Sequence, residues 1–104
     1  MTEQTWHRVA SLSDLPEGAM AAVDAGGSPI ALYRVDGQVH ATANVCTHGR
    51  ARLTDGYLEG HLVECPLHQG QFDVRTGAPQ GLPVTRPLKV HEVRVEGDDV
   101  FVLA

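Results

Sequence analysis

Each of the two cysteines is followed closely by a histidine: Cys46 by His48 in CTHG, and Cys65 by His68 in CPLHQG. Thiolate and imidazole together are metal ligands, and three readings of such a quartet compete. In the first, the residues do no chemistry: the cysteines are small buried apolar groups and the histidines satisfied surface groups. Lone residues read that way, but these form tight mixed pairs beside Gly49, Pro66 and Gly70. A disulfide between Cys46 and Cys65 would leave both histidines unexplained. In the second, the four bind tetrahedral zinc, although zinc sites usually pair Cys with Cys and His with His along the chain. A zinc deaminase would need an H-x-E and a P-C-x-x-C, where this chain has CPLH. In the third, they hold a two-iron, two-sulfide cluster, with thiolates on one iron and imidazoles on the other. Mixed pairs suit it, because two similar loops can grip the cluster from opposite sides, each giving one ligand to each iron.

The elements that position these residues read as strands. The chain has 104 residues, enough for one domain, 1–104, with a single modest core. Eleven glycines and six prolines favour short strands and many turns over long helices. WHRVASL (6–12) is a first strand. SDLPEG (13–18) is a turn, with one helical turn capped by Ser13 or Asp14. AMAAVDA (19–25) and PIALYRV (29–35) follow, separated by Gly26 and Gly27. Asp36 and Gly37 mark a hairpin to QVHATANV (38–45). CTHGRARL (46–53) is a loop, TDGYLEGHLVECP (54–66) a short hairpin, and CPLHQGQFD (65–73) a second loop. RTGAPQGLPVTRP (75–87) lies over one end. LKVHEVRVEG (88–97) and DVFVLA (99–104) alternate well and close the sheet as a terminal hairpin. The expectation is an all-β protein, an antiparallel sandwich or barrel with a smaller subdomain, about 45–85, inserted before the last hairpin.

Charge and composition exclude some partners. The net charge is −5, with no basic stripe interleaved with aromatics, so nucleic acid is not an expected partner. The N-terminus lacks a charged region followed by an apolar one, and no run approaches about 18 apolar residues. A membrane is therefore not expected either. A cytoplasmic location follows by default, and there thiols stay reduced.

CTHG at 46–49 and CPLHQGQFD at 65–73, with sixteen residues between His48 and Cys65, resemble the Rieske-type ferredoxins. The likeness is nearer to the small ferredoxins that serve bacterial aromatic-ring dioxygenases. It extends to the length, the strand pattern, the DGYLEG hairpin and the GLPV loop near Pro83. The resemblance implies one Rieske [2Fe–2S] cluster, with Cys46 and Cys65 on the inner iron and His48 and His68 on the outer, reducible one. It implies ligation through Nδ1, with Nε2 left near the surface as the electron exit. Gly49, Pro66 and Gly70 let backbone N–H groups approach the sulfides, and Pro83 covers the third side; an ordinary turn is the plainer reading of Pro83. Arg50, Arg52, Gln69 and Gln71 line a docking face or, alternatively, a solvated rim. His7, His40, His61 and His91 are not ligands, and His61 is merely exposed at a hairpin tip.

The resemblance also bears on potential. High-potential relatives carry a second cysteine in each loop, where this chain has Ala51 and Leu67. They also place Ser and Tyr hydroxyls against the cluster sulfurs, where this chain has Gly70 and Phe72. Without those hydroxyls the centre should sit low in the Rieske window of about −150 to +300 mV. The implied function is a one-electron carrier, not an enzyme, and a monomer. It would shuttle electrons from a flavin-dependent NAD(P)H reductase to a terminal aromatic-ring-hydroxylating oxygenase. A small subunit of a nitrite reductase or other redox complex, or a redox-sensing module, is the alternative.

Overall fold

PIALYRV is apolar almost without a break because its strand is buried on both faces. In the computed structural model, which describes residues 4–47, 51–67, 70–80 and 86–104, this strand is β3 (Ser28–Val35). It lies inside a four-stranded antiparallel sheet of order β2-β3-β4-β8, with β2 (Met20–Ala25), β4 (Gln38–Ala43) and β8 (Val90–His91). Side chains alternate along a strand. Ile30 and Leu32 therefore enter one core, with Leu15, Val100 and Val102. Ala31, Tyr33 and Val35 enter a second core, with Cys46, Leu53, Val63, Cys65 and Phe72.

The first core is closed by a sheet of order β1-β10-β9, with β1 (Trp6–Ser11), β9 (Val93–Glu96) and β10 (Asp99–Leu103). A register shift between Arg8 and Ala10 bends β1. The second core is closed by a small sheet of order β5-β6-β7, with β5 (Tyr57–Glu59), β6 (Leu62–Glu64) and β7 (Gln71–Asp73). The all-β antiparallel expectation agrees with this architecture. Among the described residues no helix is long and apolar enough to cross a membrane.

The hairpin expected at Asp36 and Gly37 is present. Both residues have positive φ, 52° and 76°, as the two-residue turn favoured between twisted strands requires. The Glu17 carboxylate braces it, accepting from the Asp36 and Gly37 N–H groups at 2.7 and 2.8 Å.

Three local expectations are corrected. LKVHEVRVEG is not one strand: it breaks at Glu92, β8 pairing with β4 and β9 with β10, so the chain changes sheets within the segment. The end of CPLHQGQFD is not loop, because β7 pairs with β6 and buries Phe72. Neither Ser13 nor Asp14 caps a helix. The 3₁₀ turn is Leu12–Asp14, and Ser13 turns to Asp98 instead, donating from N and Oγ to its carboxylate at 2.9 and 3.1 Å.

Candidate metal centre

Both cysteines are delivered by strands and held in loops of the same closure. β4 ends at Ala43, and the chain passes Asn44 and Val45 to reach Cys46, whose N–H donates to the Ala51 carbonyl at 2.9 Å. Outside that bond Val45 bridges Arg52, and the 3₁₀ turn Leu53–Asp55 follows. β6 leads into Cys65, whose N–H donates to the Gly70 carbonyl at 2.8 Å before β7 carries the chain away. In each loop the cysteine comes first and closes onto the residue five positions on. In sequence, His48 and His68 fall within these loops.

The two thiol residues are buried, Cys46 at 3 % exposure and Cys65 at 0 %, and they are not joined as a disulfide. They share their core with Leu53, Val63, Phe72 and Tyr33. The Tyr33 hydroxyl lies 2.9 Å from Thr42 Oγ1, which itself donates to the Ala43 carbonyl at 2.9 Å. Tyr33 is thus the donor in a short buried relay. Burial pushes its pKa up to about 12.

Gln80 and Arg86 are both tied to the cysteine loops. Gln80 N–H donates to the Gln71 carbonyl at 2.7 Å, just past the second loop. Thr47 Oγ1, inside the first loop, donates to the Arg86 carbonyl at 2.9 Å.

Of the residues singled out in the sequence, the structure brings Cys46, Cys65, Gly70 and Gln71 to this region. Gly70 is buried and Gln71 half-buried, its Nε2 3.4 Å from Glu64 Oε1. Pro66 and Arg52 are exposed at the edges of the loops. His48, Gly49, Arg50, His68, Gln69 and Pro83 lie outside the described residues.

The remaining histidines have other surroundings. His7 Nε2 is 3.0 Å from Thr5 Oγ1, and His91 is buried with Nδ1 3.0 Å from the Leu103 carbonyl. His40 is half-buried, and desolvation, then the nearby His61 and Arg75, lower its pKa. His61 is not merely exposed: its Nε2 lies 3.1 Å from Asp36 Oδ2, and the ring is mostly covered. Leu67, between Pro66 and His68 in sequence, is 64 % exposed beside Cys65, a feature the sequence analysis does not single out. An apolar residue in a polar loop was the available signal.

The donors fit a two-iron cluster better than a zinc site. Twin loops, each presenting one buried thiol, suit mixed pairs divided between two irons. The apolar core behind them limits water, which tunes such a centre. The likeness to known proteins runs over nearly the whole chain. Residues 5–102 match the Rieske [2Fe-2S] domain. The chain is 50 % identical over 99 residues to the ferredoxin component of naphthalene 1,2-dioxygenase/salicylate 5-hydroxylase systems from Ralstonia sp, covering 95 % of each chain. It is 48 % identical over 102 residues to the ferredoxin component of a naphthalene 1,2-dioxygenase system from Pseudomonas aeruginosa, covering 98 % and 97 %. Among solved structures it is similar to a chain in the complex of reduced oxygenase and oxidized ferredoxin in carbazole 1,9a-dioxygenase. There the TM-score is 0.88 at 45 % identity, with 93 % of this chain and 91 % of that chain covered. Twin cysteine loops beside a doubly buried strand, matched over nearly the whole chain, place it in the Rieske [2Fe-2S] domain family.

Proposed function

We propose that Cys46, His48, Cys65 and His68 hold a single [2Fe–2S] cluster, and that the chain carries electrons one at a time from a flavin-dependent NAD(P)H reductase to a terminal aromatic-ring-hydroxylating oxygenase. The observation that carries this is the matched closure of the two cysteine loops, each with its thiol buried in one apolar core. When bound, the cluster supplies a reversible one-electron couple. Cys46 and Cys65 supply the two thiolates, and the core behind them excludes water from that side. The loop-closing bonds fix the cysteine backbones, so little rearrangement accompanies a change of charge.

The anchored flanks of 81–85 support a covering role for Pro83 on the third side. Gly49, Pro66 and Gly70 are proposed to let backbone approach the cluster. Arg50, Arg52, Gln69 and Gln71 are proposed to border the docking face, joined by the exposed Leu67. The carrier works as a monomer in the cytoplasm. Ferredoxin components of dioxygenase systems at 50 % and 48 % identity favour this reading over a nitrite reductase subunit or a redox sensor.

The test is an EPR-monitored redox titration of the purified protein, followed by rapid mixing with a flavoprotein reductase and a ring-hydroxylating oxygenase. A rhombic signal on reduction, a midpoint low in the Rieske window and re-oxidation by the oxygenase are expected. Zinc in place of iron, with no paramagnetic signal, would refute the proposal.

A further inference from the structure

One short piece of chain touches both cysteine loops: the 3₁₀ turn Leu53–Asp55 and the glycine that ends it. Its hold on the first loop runs through Asn44, a buried polar residue two positions before Cys46. The Asn44 carbonyl accepts from Leu53 N–H at 2.8 Å, its Oδ1 accepts from Thr54 N–H at 3.0 Å, and its Nδ2 donates to Thr54 Oγ1 at 3.0 Å. Three bonds from one buried residue tie the strand entering the loop to the turn leaving it. Its hold on the second loop is steric. A Cβ on Gly56 would strike the Glu64 carbonyl, just before Cys65, and would sit 3.2 Å from Pro66 Cδ. Only a glycine lets the turn lie this close to the second loop.

We infer that this turn is the spacer that fixes the separation of Cys46 from Cys65, with Asn44, Thr54 and Gly56 as positioning residues for the cluster. The inference rests on the proposal that these cysteines bind it. Leu53, fully buried in the same core as both thiols, seats the spacer between the loops.

The test compares Asn44→Ala, Asn44→Asp, Thr54→Val and Gly56→Ala with Val102→Ala, which weakens the other core. The readouts are cluster loss to an iron chelator, the EPR line shape of the reduced protein and amide exchange at Leu53 and Thr54. Asn44→Ala and Gly56→Ala should release the cluster about 10-fold faster or more and broaden the EPR lines. Thr54→Val, which removes one bond, should do so by less and keeps the test open if the harsher variants fail to fold. Asn44→Asp should return to within about threefold of wild type, since a carboxylate still accepts from Thr54 N–H and from its hydroxyl. Val102→Ala should melt earlier with an unchanged EPR spectrum. If the spacer variants lose the cluster no faster than Val102→Ala and keep its line shape, the inference is wrong while the cluster assignment stands. A wild-type protein with no Rieske spectrum would overturn both.

Discussion

Replacing Tyr33 by Phe should make the protein less stable at neutral pH and more stable in strong alkali. At neutral pH the variant loses one buried hydrogen bond, from the tyrosine hydroxyl to Thr42 Oγ1. Thr42 still donates to the Ala43 carbonyl, so no donor is orphaned. The loss should be about 1 kcal/mol, and for a domain of this length that lowers the melting temperature by about 4–5 °C. In alkali the sign reverses. The Tyr33 pKa is raised from 10.0 to about 12 in the folded protein. Between those values the unfolded chain has released the proton while the folded one keeps it. The stability tied to the neutral phenol is complete below pH 10, falls as pH rises, and is gone above pH 12. Two pH units correspond to about 2–3 kcal/mol. The phenylalanine variant has no such loss, so the two stability curves should cross near pH 11. The assay is urea unfolding of both holoproteins across this range, with tyrosinate absorbance as an independent check. Other ionisations cancel in the difference between the curves. Thr42→Val should cost more than Tyr33→Phe at neutral pH, because it strands the buried hydroxyl donor. Parallel wild-type and Tyr33→Phe curves from pH 9 to 12 would refute the relay and its buried donor.

Gly26→Ala places an L side chain at φ +60° with its Cβ 2.9 Å from the His7 ring. It should cost about 1–2 kcal/mol in thermal melts and leave the midpoint potential unchanged. Phe72→Tyr combined with Gly70→Ser offers hydroxyls where the protein has none and should raise the potential in a redox titration. No rise would remove the missing-hydroxyl account of a low-potential centre. The backbone N–H groups of Gly37 and Asp36 hold the Glu17 carboxyl below its ordinary pKa. The stabilisation it brings is present above that ordinary value and disappears as pH falls through the lowered one. Glu17→Gln should therefore flatten part of the acid limb of the stability profile.

The sequence carries the hairpins because turn chemistry is local. Asp36 with Gly37, and Gly26 with Gly27, announce their conformations in two residues each, and all four have positive φ. It carries the sheet change at Glu92 only faintly. The only local trace is a one-residue slip in the apolar alternation, from Leu88 and Val90 to Val93 and Val95, and the inward residue there is not Val90 but His91, held by the Leu103 carbonyl from another strand. β7 is silent, since three residues are too few to show a period.

The site divides the same way. The Cys/His pairs are legible because each is confined to a few residues whose types name the chemistry, whereas the spacing of the two cysteines in three dimensions is not. It depends on Asn44, whose side-chain partner lies ten positions along the chain, and on Gly56, which matters only because the Glu64 carbonyl passes beside it. Nothing local separates that asparagine from any polar residue after a strand. β3 is buried on both faces. Ile30 and Leu32 belong to the first core, while Ala31 and Tyr33, their immediate neighbours, pack with the cysteines. The two faces of β3 are therefore separable: a loss under Ile30 and Leu32 weakens the fold, whereas a change beside Ala31 and Tyr33 reaches the core that holds the two cysteines. The ligands could be kept through extensive surface change, but the depth and spacing of their loops are set by residues that carry no redox chemistry.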